Sequence, residues 1–133
     1  MDGRPDAPPE GKAPLIYPFP EGPPARGHTL EVAPGVHWIR MPLPFALDHI
    51  NLWVLDDGPG WAIVDTGLRN ELTSQIWREL FANARDPRPV TRVFVTHMHP
   101  DHVGMAGWLT RKFGVRLWKI GRASCRERVL NLV

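Results

Sequence analysis

Short apolar runs separated by glycine- and proline-rich turns predict a series of β-strands in the first half of the chain. Two short strands are expected within residues 30–40, on either side of a turn that ends at Gly35. Two more are expected at residues 51–55 and 61–64, and the residues between them have the composition of a hairpin turn. This half of the chain is therefore expected to form paired strands joined by tight turns.

The second half of the chain changes to a helical period. Apolar side chains recur every four residues over 72–84 and predict a helix, with Asn70 as its N-cap. The run Val90–Val95 predicts a buried strand, and residues 103–113 predict a second helix that packs against the sheet. With a further strand at 115–118, the order of strand, helix and strand predicts a βαβ unit and an α/β fold.

Three histidines and an aspartate, His97, His99, Asp101 and His102, directly follow the predicted strand. Side chains two residues apart on an extended loop point the same way, so His97, His99 and Asp101 are expected on one side. His102 is expected to turn away where a helix begins. This spacing allows a first metal position at His97 and His99, and a second metal position at Asp101 and His102.

Imidazole nitrogens combined with a carboxylate oxygen favour zinc as the metal, with iron or manganese as alternatives. The competing interpretation treats the four residues as surface polar groups and Asp101 as a helix N-cap. Three histidines within six residues, placed after a buried strand, have no packing role, and this favours the metal site.

The seven residues from Thr96 to His102, THMHPDH, resemble the H-x-H-x-D-H signature of the metallo-β-lactamase-fold hydrolases. The segment Asp65-Thr66-Gly67 resembles the earlier aspartate motif of that family, and the resemblance covers residues 30–118. It implies an αββα sandwich, a fold that needs a longer chain than this one. We therefore expect the amino-terminal half of such a sandwich, a mixed β-sheet with helices on one face.

The resemblance also implies roles for five residues of the two motifs. His97, His99 and His102 would bind metal, and Asp101 would bind metal and orient the attacking hydroxide as the catalytic residue. Asp65 would support the histidine loop by hydrogen bonds, although an aspartate at a strand end is also a common turn former. The intact protein, in which the domain is complete, would hold two zinc ions with further ligands from later residues. The 133-residue chain is itself expected to be inactive.

Residues 41–47 are apolar but contain two prolines, which predicts a loop. The loop would either cover the core or form a wall of a substrate cleft. The resemblance makes Phe45 and His49 candidate substrate contacts, and the alternative is that both are ordinary surface side chains.

Three functions remain open for the intact protein. The first is a dinuclear zinc hydrolase acting on a small-molecule thioester, ester, lactone or amide. The second is a nuclease of the same fold, which would carry basic clusters near its cleft, whereas arginines are scattered before Lys119. The third is an iron-dependent sulfur dioxygenase of the same fold, which would use only the first metal position. A non-enzymatic half-domain remains the alternative for this chain alone.

Domain boundaries follow from composition. Residues 1–27 hold eight of the fifteen prolines and are expected to be a weakly ordered lead-in, strapped over the domain by apolar side chains. The strap residues would be Leu15, Ile16, Tyr17 and Phe19. Residues 28–119 are expected to form the partial metallo-β-lactamase-like domain.

Residues 119–129 resemble a translated short-read sequencing adapter, so residues 120–133 are expected to be a non-native tail. The alternative is a basic surface segment. This tail carries a formal charge of +2, equal to that of the whole chain, which leaves the rest neutral. A small-molecule substrate is therefore favoured over nucleic acid.

The location of the protein is expected to be cytoplasmic. Cys125 is the only cysteine, which excludes an internal disulfide and fits a reducing compartment. The sequence has neither a signal-peptide apolar region nor a transmembrane-length run, so no membrane partner is expected. The oligomeric state is not indicated by any sequence feature.

Overall fold

A single six-stranded sheet organises residues 13–84 and 86–119, which are the residues that the computed structural model describes. Its strands are β1 (Leu30–Ala33), β2 (Val36–Pro42), β3 (His49–Asp57), β4 (Gly60–Val64), β5 (Val90–Val95) and β6 (Leu117–Lys119). The helices are α1 (Glu71–Asn83), α2 (Pro100–Val103) and α3 (Ala106–Phe113). Strands β1 to β4 pair antiparallel, whereas β4, β5 and β6 pair parallel. The predicted mixed sheet is confirmed.

Strand β2 is longer than the sequence indicated. Its ladder with β3 continues to the pair between Pro42 and His49, so the predicted loop at 41–47 is wrong at its beginning. Met41 is fully buried and pairs with Ile50, which shows that its apolar side chain belongs to the core. The loop that remains spans residues 43–48.

The core lies between one face of the sheet and the helices α1 and α3. This face includes four residues that are at most 1% exposed, one on each of strands β2 to β5: Ile39, Leu52, Ile63 and Val93. They form one cluster with Ile76, Trp77, Leu80, Met105 and Leu109 from the helical side. The helices thus cover the same face, and each βα connection places the end of a parallel strand beside a helix.

Helix α1 begins where the sequence predicted. The side chain of Asn70 accepts a hydrogen bond of 2.8 Å from the backbone amide of Thr73, the geometry of an N-cap. Trp77 donates its indole hydrogen to the carbonyl oxygen of Thr66 at 2.8 Å and stacks against Phe81. This contact ties the middle of α1 to the turn that follows β4.

The predicted helix over 103–113 is wrong as a single element. It is divided into α2 and α3 at Gly104 and Met105, because the Met105 amide donates to the Thr66 hydroxyl at 3.0 Å. The Met105 amide is then not available for a helical hydrogen bond, so the helix is interrupted at this point. A Cβ atom at Gly104 would lie only 2.7 Å from the Gly67 carbonyl oxygen, so the close approach of the two turns requires glycine here.

The opposite face of the sheet carries a row of large apolar side chains. Trp38, Trp53, Val64, Phe94 and Trp118 are successive cross-strand partners from β2 to β6. The first four are half-buried and Trp118 is 46% exposed. This face, which we call the aromatic face, is opposite the face covered by α1 and α3.

The lead-in contacts the domain differently from the prediction. Leu15, Ile16 and Tyr17 are each more than three-quarters exposed, so they do not strap the domain, and only Phe19 approaches Trp38 on the aromatic face. Arg26 instead forms two hydrogen bonds with Glu79 on α1, which raise the pKa of its guanidinium. The lead-in is therefore held near its end by polar contacts.

Some sequence features lie outside the described residues. These are the first twelve residues, Cys125 and the adapter-like tail at 120–133. The predicted strand at 115–118 begins later, at Leu117. None of the helices described has the length and apolar character needed to cross a bilayer.

Candidate metal centre

The candidate site lies at the edge of the sheet where the parallel strands β4 and β5 end. Asp65 follows β4, and Thr96 follows β5. The backbone amide of Asp65 still donates to the Phe94 carbonyl at 2.8 Å, which keeps the two strand ends in register. Carboxyl ends of adjacent parallel strands meet at one edge, so the topology brings the two sequence motifs together.

The three histidines form one cluster. His97 Nε2 lies 3.1 Å from His99 Nδ1, and the ring centroids of these two residues are 4.6 Å apart. The ring of His102 lies closer still to that of His97, at 4.0 Å. His102 Nε2 is also 3.6 Å from the carboxylate of Asp101. Both predicted pairs are therefore in contact, and His97 and His102 join them.

The expectation that Asp101 shares an extended loop with His97 and His99 is wrong. Helix α2 begins at Pro100, since proline fits the first turn of a helix where no amide donor is needed. His99 occupies the N-cap position, so the interpretation of Asp101 as the N-cap is also wrong. Asp101 reaches the cluster from the first turn of the helix, through His102.

Asp65 connects the site to the sheet. It is 5% exposed, and its carboxylate accepts hydrogen bonds from the Thr96 amide at 2.8 Å and from the Thr96 hydroxyl. The same carboxylate lies 2.9 Å from His102 Nδ1. Its φ angle of 63° is in the left-handed region, which aspartate tolerates better than most residues. Asp65 thus combines the turn geometry with three hydrogen bonds to the histidine loop.

Two threonines in the site were missed by the sequence reasoning. Thr66 is fully buried, and both its amide and its hydroxyl donate to the His102 carbonyl oxygen, at 2.8 and 2.7 Å. Thr96 places its hydroxyl between Asp65 and His97. Both lie inside the two sequence motifs, and their positions next to Asp65 and His97 in the sequence are the signal that could have identified them.

The donor atoms fit a metal ion that prefers nitrogen and oxygen. Two nitrogens bound to one tetrahedral zinc at its usual bond length lie roughly 3.3 Å apart. The 3.1 Å between His97 Nε2 and His99 Nδ1 and the 3.6 Å between His102 Nε2 and Asp101 are close to that value. Each pair therefore has the spacing of two ligands of one ion.

Neither pair is a complete set of ligands. Within residues 13–84 and 86–119, no three side chains of histidine, cysteine, aspartate or glutamate converge as a metal site requires. A catalytic zinc usually has three protein ligands and one open position. Each predicted metal position would thus supply two of the ligands that such an ion needs.

The two candidate substrate contacts lie at the same end of the sheet. Strand β3 runs antiparallel to β4, so its beginning at His49 is at the edge where β4 ends. Phe45, in the loop before it, is 60% exposed. His49 Nδ1 is hydrogen-bonded to the carboxylate of Asp48 at 2.7 Å, and this contact lowers the pKa of the Asp48 carboxyl group. One strand, β4, lies between β3 and β5, so the beginning of β3 and the end of β5 are two strand spacings apart, roughly 10 Å.

A sequence model described as the metallo-beta-lactamase superfamily matches residues 46–125, which include both motifs. The chain belongs to this superfamily. Members have a metal-dependent, hydrolase-type fold, and the six-stranded sheet with its covering helices is part of that domain. A comparison with curated proteins gives no match.

Solved structures from the superfamily agree with this assignment. A beta-lactamase domain protein from Burkholderia ambifaria is 51% identical over 80% of this chain, with a TM-score of 0.74. A metallo-beta-lactamase family protein from Thermus thermophilus is 29% identical over 65% of the chain, with a TM-score of 0.56. The chain spans 34% and 29% of those two proteins, respectively, so it corresponds to about a third of each.

Proposed function

We propose that the intact protein is a hydrolase with two zinc ions, acting on the acyl bond of a small molecule. The observation that carries the proposal is the two pairs of candidate ligands that follow β5. His97 Nε2 and His99 Nδ1 lie 3.1 Å apart at one position, while Asp101 Oδ2 and His102 Nε2 lie 3.6 Å apart at the other. The remaining ligands would come from the part of the domain that this chain does not span.

The chain's own residues have distinct tasks in this proposal. His97, His99 and His102 would bind metal through imidazole nitrogens, the usual histidine ligands. Zinc, when bound, polarises the scissile carbonyl and lowers the pKa of water to about 7. The side chain of Asp101 is 24% exposed, so water can reach the carboxylate that would bind metal and orient the attacking water.

The substrate class is inferred from charge and from the loop at 43–48. Phe45 and Leu47 are 60% and 63% exposed, and they provide apolar surface on the same edge of the sheet as the cluster. Residues 1–119 carry no net formal charge, which gives little attraction for a polyanion. These features favour a thioester, ester, lactone or amide with an apolar part over a nucleic acid.

The sulfur dioxygenase alternative predicts a different use of the cluster. Such an enzyme would need only His97 and His99, with iron, and would leave Asp101 and His102 without a task. In the structure the His102 ring lies 4.0 Å from that of His97, and Asp65 holds it in place. This arrangement favours two metal ions.

A substrate panel tests the proposal on the intact protein. We expect the zinc-loaded form to hydrolyse at least one of the four acyl classes, at a rate at least about a hundredfold above the metal-free form. Little cleavage of a phosphodiester is expected, and no oxygen-dependent thiol oxidation with iron. A His28→Ala variant, altered at an exposed histidine that precedes β1, serves as the control with unchanged activity.

Two outcomes of the panel would contradict the proposal. Cleavage of phosphodiesters alone would identify a nuclease. Oxidation of a persulfide with the iron-loaded form, without any acyl hydrolysis, would identify the dioxygenase.

A further inference from the structure

One buried carboxylate is connected by hydrogen bonds to both predicted metal positions. Asp65 Oδ2 lies 2.9 Å from Nδ1 of His102, which belongs to the second position. The Thr96 hydroxyl lies 2.8 Å from the same oxygen and 2.9 Å from Nδ1 of His97, which belongs to the first. The hydroxyl therefore lies between the carboxylate and a metal-binding histidine.

The protons along this path can be assigned from the chemistry of the groups. A carboxylate only accepts hydrogen bonds, so the single hydroxyl hydrogen of Thr96 goes to Asp65. The threonine oxygen must then accept a hydrogen from His97, and this places the proton of the neutral imidazole on Nδ1. His97 Nε2 is left with its lone pair, and this is the nitrogen that faces His99 at 3.1 Å.

The same reasoning applies directly to His102. Its Nδ1 donates to Asp65, so its Nε2 carries the lone pair and lies on the side of Asp101. One carboxylate thus sets the tautomer of both histidines, through a hydroxyl in one case and without an intermediary in the other.

We propose that Thr96 is a positioning residue for the first metal position. Its hydroxyl donates to the Asp65 carboxylate and accepts the Nδ1 hydrogen of His97, and this hydrogen-bond relay holds the proton on Nδ1. The inference rests on the proposed metal-binding function of His97. It assigns Thr96 to one position only, whereas Asp65 acts on both. Outer hydrogen-bond partners that fix a histidine tautomer typically change metal affinity by about 10- to 100-fold.

The chain offers a selective variant for the test. Thr96→Val removes the hydroxyl and keeps the shape of the side chain, and the backbone amide of residue 96 can still donate to Asp65 Oδ1, as it does now at 2.8 Å. Thr96→Ser keeps the hydroxyl. Thr91→Val is the matched control, because Thr91 also donates its hydroxyl to an aspartate, Asp57, but at the other end of β5.

The first readout is the tautomer of His97 in the metal-free intact protein. Nitrogen-15 spectra of labelled histidines, recorded above pH 8, distinguish a protonated from a bare ring nitrogen. We expect the proton on Nδ1 of His97 in the wild type, in Thr96→Ser and in Thr91→Val. A mixture of both tautomers is expected in Thr96→Val, while His102 keeps its proton on Nδ1 in all four proteins.

The second readout is the pair of stepwise zinc affinities, measured by competition with a chromophoric chelator. Thr96→Val should weaken one of the two affinities by about 10- to 100-fold and leave the other unchanged, whereas Asp65→Asn should weaken both. The proposal is overturned if folded Thr96→Val keeps the wild-type tautomer of His97. It is also overturned if Thr96→Ser behaves like Thr96→Val.

The spectra separate this inference from the proposed function, since they require neither turnover nor a substrate. An unchanged His97 tautomer in an active hydrolase would refute the role of Thr96 alone. A changed tautomer in a protein that hydrolyses no acyl substrate would refute the proposed function and leave the relay intact.

Discussion

Replacing His97 with alanine in the intact protein is expected to lower kcat by at least about a thousandfold, because several kcal/mol of transition-state stabilisation depend on the metal. In the proposed site, His97 would be one of the two ligands from this chain at the first position, and its Nε2 lies 3.1 Å from His99 Nδ1. His99→Ala should have a similar effect. The measurement is steady-state turnover of the best substrate in zinc-containing buffer.

Graded variants show whether the loss comes from the metal. Asp65→Asn leaves every proposed ligand in place and changes only the hydrogen bonds that Asp65 makes with His102 and Thr96. A smaller decrease in kcat, about 10- to 100-fold, is therefore expected. Met98→Ala is the matched control, since Met98 lies between the two histidines and is 42% exposed. If His97→Ala retained the kcat of the wild type, the assignment of the site would be wrong.

The isolated 133-residue chain is expected to aggregate or to form a loosely packed state. The aromatic face, the row from Trp38 to Trp118, has helices only on its other side in the described residues. Soluble monomers rarely expose a continuous apolar patch larger than roughly 300–600 Å². Strand β6 also lies at the edge of the sheet, where unpaired backbone groups promote association. A domain whose free energy of unfolding is only about 5–15 kcal/mol does not remain folded when half of its core is removed.

Amide hydrogen exchange and light scattering measure this directly. We expect fast exchange throughout β4 and β5 in the isolated chain, and slow exchange of the same amides in the intact protein. A monodisperse monomer with slow exchange in both strands would show that the half-domain folds alone. That outcome would also contradict the expectation that the aromatic face must be covered by the rest of the domain.

Much of the fold could be predicted from local patterns. Strand β5 and helix α1 were predicted within one or two residues, because each combines a clear period with explicit end signals such as Asn70. The hairpin between β3 and β4 has a two-residue turn with Gly58 at a φ of 58°, which the local composition indicated. These elements depend on interactions close in sequence.

The features that could not be predicted depend on contacts distant in sequence. The break between α2 and α3 results from a hydrogen bond between Met105 and Thr66, 39 positions apart, and no periodicity shows it. Leu72 fits the helical pattern of α1 but is 40% exposed, whereas the next two residues, Thr73 and Ser74, are buried. A period identifies a helix face, but the packing partner decides which of its residues are buried.

In the candidate site, too, the local sequence predicts some features, while others depend on contacts distant in sequence. The residue types and their spacing indicated His97, His99, Asp101 and His102, but the spacing alone suggested an extended loop. The structure instead places Asp101 on a helix, because Pro100 begins α2. The hydroxyls of Thr66 and Thr96 acquire their tasks only when β4 and β5 lie side by side, which a reading along the chain does not reveal.

Equilibrium dialysis against zinc tests directly whether the two pairs at the end of β5 are halves of metal positions. The intact protein should retain two zinc ions per chain at submicromolar free zinc, and its His97→Ala variant should lose one of them. The isolated 133-residue chain, with two ligands at each position, should retain neither. Retention of two ions by the isolated chain, or of both ions by the His97→Ala variant, would contradict this account of the site.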